Sequence, residues 1–139
     1  MPPLTRWYIK TGFVYLVVAL LAALVLAAAP LVRLPAAVIT AGPAQIHAFV
    51  VGWLTQLIFG VAYWMFPKFS PEQPRGHNAI AIATYVLLNA GLLVRIVAEP
   101  WQAAHAGPWP ARLLVVSALA QWLAGVGFVV NTWPRVRGK

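Results

Sequence analysis

The chain has 139 residues, of which 62% are hydrophobic and only 9% are charged. Soluble domains carry about 25% charged residues, so a globule of this size could not cover its surface with polar side chains. The formal charge of +8 comes from basic residues set singly between apolar runs, which is typical of membrane topology signals rather than of a nucleic-acid surface. The absence of cysteine excludes disulfides, thiolate metal sites and cysteine nucleophiles.

Four apolar segments follow one another, each close to the roughly 20 residues that a helix needs to cross a bilayer. The predicted helices cover about 8–29, 43–66, 78–99 and 111–133. A proline follows each of them, at Pro30, Pro67, Pro100 and Pro134, and the residue before a proline is a frequent helix end. Backbone groups inside lipid must be satisfied internally, which favours helices over a barrel here. The sequence predicts one all-α, four-helix transmembrane domain over residues 1–139.

The first helix has some features of a cleaved signal peptide, because Arg6 and Lys10 precede a run that ends in alanines. Its apolar core exceeds the roughly 7–15 residues of a signal peptide, which favours a retained span. Basic residues then predict the orientation. Seven share one side, namely Arg6, Lys10, Lys68, Arg75, Arg135, Arg137 and Lys139, and three share the other, namely Arg33, Arg95 and Arg112. We therefore expect a prokaryotic inner-membrane protein with both termini in the cytoplasm.

The second helix carries His47, about one helical turn below the outer surface. At about 100° per residue its face also contains Val51, Leu54, Ile58, Val61 and Met65, whereas Gly52, Gln56, Gly60 and Tyr63 lie on the other side. An imidazole above an apolar stripe suits an axially ligated porphyrin, and the glycines favour close helix packing. Alternatively, His47 bonds a neighbouring helix or interfacial water, and the stripe faces lipid.

The second helix contains the pattern His-x4-Gly-Trp-x6-Gly-x6-Pro, which begins at His47 and ends at Pro67, with Gln56 and Tyr63 between them. This pattern resembles the second helix of heme-copper oxidase subunit I and of small four-helix relatives in the oxidase and nitric oxide reductase superfamily. The other helices match only in hydropathy. The resemblance implies that His47 is the axial ligand of a b- or a-type heme near the outer side. A c-type attachment needs cysteine, which is absent, and heme b is the expected cofactor.

The resemblance also implies an architecture. The family's subunit of about twelve helices is similar to three arcs of four helices around a pseudo-threefold axis, so this chain would correspond to one arc, a quarter to a third of the bundle. A homotrimer could rebuild the whole, with heme at a subunit interface. The chain lacks the later helices and the His-x-His pair of the full subunit. Oxygen reduction and proton pumping are therefore not implied.

Arginines near the outer side are candidate partners of anionic heme propionates. Arg95 and Glu99 lie four residues apart at the end of the third helix, where an ion pair is the simpler interpretation. Alternatively, Arg95 offers its bidentate guanidinium to a propionate. Arg112 and Arg33 are weaker candidates for the same contact.

The two remaining histidines lie outside the predicted helices or at their ends. His105 is in the outer loop, on the side of His47, so it is a candidate second axial ligand or a ligand of an additional metal ion. A solvated loop histidine is the simpler interpretation. His77 lies on the opposite side, where we expect it to contact headgroups or to cap the third helix.

The leading function hypothesis is a membrane-bound b-type heme protein in electron transfer or gas binding. A cofactor-free scaffold or assembly subunit is the alternative, and an oxidase or nitric-oxide-reductase type of enzyme is a weaker one. The expected partners are the lipid bilayer and further copies of the chain, with no nucleic acid and no indicated redox partner. The sequence has no phosphate-binding glycine loop and no paired catalytic carboxylates. It also has no Asp, Glu, Lys or His in the middle of a predicted helix, which disfavours proton transport.

Overall fold

The computed structural model describes residues 1–136, and in this range the chain is helical without a β-strand. Four stretches are long and apolar enough to cross a membrane, and we name them spans 1 to 4. They are Pro3–Ala27, Gly42–Met65, Asn78–Ala104 and Pro108–Arg135. The prediction of four membrane-spanning helices is confirmed by length and composition. The predicted topology signals at Arg137 and Lys139 lie outside the described residues.

The described chain contains six α-helices and two helical segments of other kinds, and all of them except α2 belong to the spans. Span 1 is α1 (Pro3–Ala27), span 3 is α5 (Asn78–Ala104), and the short α2 (Ala36–Ile39) lies between spans 1 and 2. Span 2 consists of α3 (Gly42–His47), a π-helix (Ala48–Thr55) and α4 (Gln56–Met65). Span 4 consists of α6 (Pro108–Thr132) and a 3-10 turn (Trp133–Arg135).

Prolines mark fewer helix ends than the sequence predicts. Span 3 passes through Pro100 and ends at Ala104 rather than at residue 99. A proline removes one backbone N–H and strains the preceding turn, but near a membrane surface the freed carbonyl can meet water. Spans 1 and 4 also begin earlier than predicted, at Pro3 and Pro108, because proline fits the first turn of a helix, where its missing N–H is not needed.

The four spans pack mainly as two pairs, span 1 against span 2 and span 3 against span 4. Two small clusters join the pairs: one contains Leu4, Tyr8, Tyr63, Ala81, Leu88 and Ala124, and the other contains Tyr15, Ala19, Ala48 and Leu92. Large apolar side chains such as Val17, Leu24 and Val115 are about two-thirds exposed on the outside. Such surfaces on long apolar helices indicate contact with lipid or with other membrane helices.

Two glycines let spans 1 and 2 approach closely. A Cβ atom added to Gly52 would lie 2.6 Å from Cγ of Tyr15, and one added to Gly60 would lie 2.7 Å from Cβ of Tyr8. Thr5 adds a hydrogen bond from its hydroxyl to the Gly60 carbonyl at 3.2 Å. The prediction that the glycine face of the second helix serves helix packing is confirmed.

The amino end, the loop between spans 2 and 3, and Arg135 near the end of the described chain meet at one end of the bundle, which we call the terminal end. The loops between spans 1 and 2 and between spans 3 and 4 lie at the other end, which we call the distal end.

Candidate functional site

A cluster of polar side chains at the distal end joins spans 2, 3 and 4. His47, Arg95, Glu99 and Ser117 form it, and we call it the distal cluster. His47 Nδ1 lies 3.2 Å from Glu99 Oε2, and His47 Nε2 lies 3.3 Å from Arg95 Nη1. Arg95 Nη1 also donates to Glu99 Oε1 at 3.3 Å. The sequence had placed these residues near one side of the membrane, and the structure brings them into direct contact.

Local structure aims each side chain at the cluster. His47 is the last residue of α3, where the π-helix begins. Arg95 and Glu99 face the same way because residues four apart on an α-helix are neighbours. The fully buried Ser117 of α6 accepts a hydrogen bond from Arg95 Nε at 3.3 Å and donates to the Gly91 carbonyl at 2.7 Å. The guanidinium is therefore held from two spans.

The hydrogen bonds define which nitrogen of His47 carries the proton. Nδ1 faces two acceptors, the Pro43 carbonyl at 2.9 Å and the Glu99 carboxylate at 3.2 Å, so it must donate. Nε2 faces Arg95, and a guanidinium can only donate, so Nε2 must accept. This network assigns the neutral imidazole with its hydrogen on Nδ1 and its lone pair on Nε2. The cluster then contains one positive and one negative charge, and they balance.

This donor set fits a heme in its chemistry. Metal-binding histidines usually donate their other N–H to a carboxylate or a carbonyl, which fixes the ring and raises its basicity. His47 has both acceptors on Nδ1, and its side chain is 31% exposed. An iron could bind Nε2 only if Arg95 moved away, because its guanidinium now donates to that lone pair.

The predicted apolar stripe of Val51, Leu54 and Ile58 is only partly continuous. Leu54 and Ile58 are exposed at 43% and 53%, whereas Val51 is partly buried against the core. The prediction used the 3.6-residue period of an α-helix, but residues Ala48–Thr55 form the wider turns of a π-helix. Val51 packs against the two core clusters, whereas Leu54 and Ile58 remain outside.

The weaker candidates are not in contact with the distal cluster in the described part of the chain. Arg112 is exposed, and its Cζ lies 5.2 Å from the ring centre of Trp109. Arg33 is exposed, and so is His105, which follows the last residue of α5. Within residues 1–136 no three His, Asp or Glu side chains come together as metal ligands. His77 occupies the N-cap of α5 at the terminal end, without a capping bond from its side chain.

The sequence interpretation missed how Glu99 and Ser117 serve the site. It paired Glu99 with Arg95 through helical spacing, and this ion pair is present. The same carboxylate also reaches His47 in another span, which helical spacing alone does not indicate. Ser117 orients the arginine from span 4. The only signal was a small polar residue in an apolar helix, four positions before Gln121, whose amide donates to it at 3.1 Å.

A second polar contact lies deeper in the bundle. The side chains of Gln56 and Asn89 bond each other in both directions, at 3.0 and 3.3 Å. Gln56 is fully buried and also donates to the Gly52 carbonyl. These hydrogen bonds between helices hold span 2 against span 3.

Comparisons with protein-family models, with curated proteins and with solved structures found no match for this chain. The likeness to heme-copper oxidase subunit I therefore rests on the residue pattern of span 2.

Proposed function

We propose that this protein is an integral membrane protein that binds heme b through His47, in electron transfer or gas binding. The observation that carries the proposal is the orientation of the imidazole: Nδ1 donates to Glu99 and Pro43, which places the lone pair on Nε2, where Arg95 now donates. A bound heme would supply a reversible one-electron couple or an open site for a small gas molecule. The resemblance in span 2 favours heme over other cofactors.

Each residue of the distal cluster would make a different contact with the heme or with its ligand. His47 would hold the iron through Nε2, while Glu99 fixes the ring by accepting from Nδ1. Arg95 would release Nε2 and offer its guanidinium to a propionate, still anchored by Ser117. Leu54 and Ile58, which are exposed below the imidazole, would supply apolar contact.

The wider assignment follows the same resemblance. The four spans would correspond to one arc of a subunit I-like bundle, assembled as a homotrimer in a prokaryotic inner membrane with cytoplasmic termini. The exposed apolar side chains on the outer faces of the spans are compatible with such assembly or with lipid. Reduced spectra with and without carbon monoxide would separate the two activities, because a six-coordinate iron that ignores the gas excludes gas binding.

The proposal is tested by a pyridine hemochrome assay on purified protein. We expect heme in the wild type and in His77→Ala, which changes a histidine at the terminal end. We expect His47→Ala to lose the heme, because the imidazole is the only candidate ligand in the distal cluster. Equal heme content in His47→Ala and wild type would refute the proposal.

A cofactor-free scaffold is the second candidate, and the closed hydrogen bonding of the distal cluster favours it. Each ring nitrogen of His47 has a partner within the chain, and Arg95 is paired with Glu99. In this case the cluster would only fix spans 2 to 4 relative to one another. Colourless protein that assembles normally, with an unchanged oligomer in His47→Ala, would support it.

An oxidase or nitric-oxide-reductase type of enzyme is the weakest candidate. It needs a second redox metal, and residues 1–136 bring no group of three His, Asp or Glu together within one chain. Metal analysis that finds heme iron as the sole metal would remove this candidate.

A further inference from the structure

A polar cavity of about 300 Å³ lies at the terminal end, lined by residues 72–79. Gly76 turns the loop with a φ of +76°, a conformation that favours glycine. Span 4 holds this loop through Asn131, whose Oδ1 accepts the His77 N–H at 2.8 Å and whose Nδ2 donates to the Arg75 carbonyl at 3.3 Å. The cavity is therefore part of the folded bundle.

Two arginines at this end have positive charge that the described residues do not balance. Arg135 is 1% exposed, and it donates to the carbonyls of Tyr63, Phe66 and Pro67 at 2.8 to 3.0 Å. Its Nη1 has no partner, and neither has the buried Nε of Arg75, which lines the cavity. The two charges lie close enough to act on each other. Buried cationic donors without partners are costly, so this site favours an anion.

The acidic residues do not supply that anion within residues 1–136. Glu99 is committed to the distal cluster, and Glu72 lines the cavity but forms no ion pair there. The amino end of α5 adds to the positive potential. Asn78 and Ala79 line the cavity, and no side chain caps the helix. Its first N–H groups can therefore donate to an anion bound there.

An apolar groove of about 210 Å³ adjoins the polar cavity at Asn78, which lines both. The remaining walls of the groove are mainly apolar and include Leu4, Trp7 and Ile82, and Trp7 is 52% exposed. A cavity with an unpaired arginine donor beside an apolar groove, at the end of membrane spans, matches a ligand with a phosphate and a hydrocarbon chain.

We propose that the terminal end binds one anionic phospholipid, with its phosphate at Arg75 and the amino end of α5 and with an acyl chain in the groove. Charge complementarity selects this occupant, because the cavity holds the unpaired Nε of Arg75 and the amino end of α5 beside an apolar groove. A glycerol headgroup suits the site further, because its hydroxyls can donate to the carboxylate of Glu72. This site is separate from the distal cluster and does not depend on heme.

The proposal is tested by native mass spectrometry of the full-length protein released from detergent micelles. Phosphatidylglycerol and phosphatidylcholine of the same chain length are titrated in parallel. We expect the wild type to prefer phosphatidylglycerol, and Arg75→Gln to weaken its binding about tenfold, the loss of a charge-assisted hydrogen bond. Arg112→Gln removes an exposed arginine from the distal end and should leave the affinity unchanged.

Two further measurements complete the test. Ile82→Asn alters the exposed groove wall without touching an arginine, so it should weaken phosphatidylglycerol binding even if Arg75→Gln does not fold. Inorganic phosphate in excess should not displace the lipid. Displacement by phosphate would assign the cavity to a free anion and overturn the lipid proposal. Equal affinity for the two lipids, or unchanged binding in both Arg75→Gln and Ile82→Asn, would overturn it as well.

Discussion

The two ends of the bundle differ in whether their buried charges are paired. At the distal end Arg95 and Glu99 balance each other around a neutral His47, and each polar group bonds inside the chain. At the terminal end Arg75 and Arg135 lie near each other without a carboxylate partner in residues 1–136. A balanced cluster can fix helices without help, whereas an unbalanced one depends on carbonyl dipoles and on a ligand from outside. Substitutions at each end should therefore have different costs.

Removing the distal carboxylate should have the largest effect. Glu99→Ala leaves Arg95 as a partly buried charge without its counter-ion, and breaking such a pair costs about 3 kcal/mol. Reversible unfolding in mixed detergent should show this loss, and Glu72→Ala, which breaks no ion pair in the described structure, should remain close to wild type. Equal stability of the two variants would contradict the view that the distal charges depend on each other.

Removing the terminal arginine should cost less. Arg135→Met deprives three carbonyls at the end of span 2 of their donor, but it also removes a like charge beside Arg75. We expect a net loss of about 2 kcal/mol in the same unfolding assay. Arg6→Met, an exposed arginine at the same end, is the matched control. A loss equal to that of Glu99→Ala would show that repulsion between the arginines is negligible.

The close packing between the two ends is tested by a smaller change. Gly52→Ala places a Cβ 2.6 Å from the ring of Tyr15, so spans 1 and 2 must separate. Overpacking of this kind costs about 1 to 2 kcal/mol. Gly125→Ala is the control, because no atom lies within 4 Å of its added Cβ, and the exchange improves helix propensity. The unfolding free energy should fall only in the first variant.

The smallest expected effect concerns the amide pair between spans 2 and 3. Gln56→Leu removes both hydrogen bonds to Asn89, and interhelical bonds in membrane proteins contribute about 0.6 kcal/mol on average. Thr55→Val removes only a local bond to the Val50 carbonyl and should change stability less. A loss above that of Gly52→Ala would mean that polar contacts, rather than close packing, hold the spans together.

Hydropathy predicted the four spans, because the length of an apolar run is a property of the sequence alone. The glycine face of span 2 was also predictable, because small residues at helical spacing allow helices to approach closely. Pro100 misled the prediction of a helix end, because the cost of a proline depends on what the freed carbonyl meets. Val51 packs partly against the core whereas Leu54 and Ile58 are exposed, and the sequence pattern shows no change of helical period. The contact between His47 and Glu99 depends on the rotation of two spans, which no local spacing encodes.

The π-helix of span 2 fixes an angular relation between the imidazole and the residues that face span 1. A π-helix has more residues per turn than an α-helix. The segment Ala48–Thr55 therefore sets the angle between the residues that precede it and those that follow it. Deleting one residue within it would leave too few residues for these wider turns, so the angle between His47 and Gln56 would change. The imidazole would then leave the carboxylate of span 3, although no residue of the distal cluster had been replaced. The chemistry of that end is thus set by a count of residues as much as by their identity.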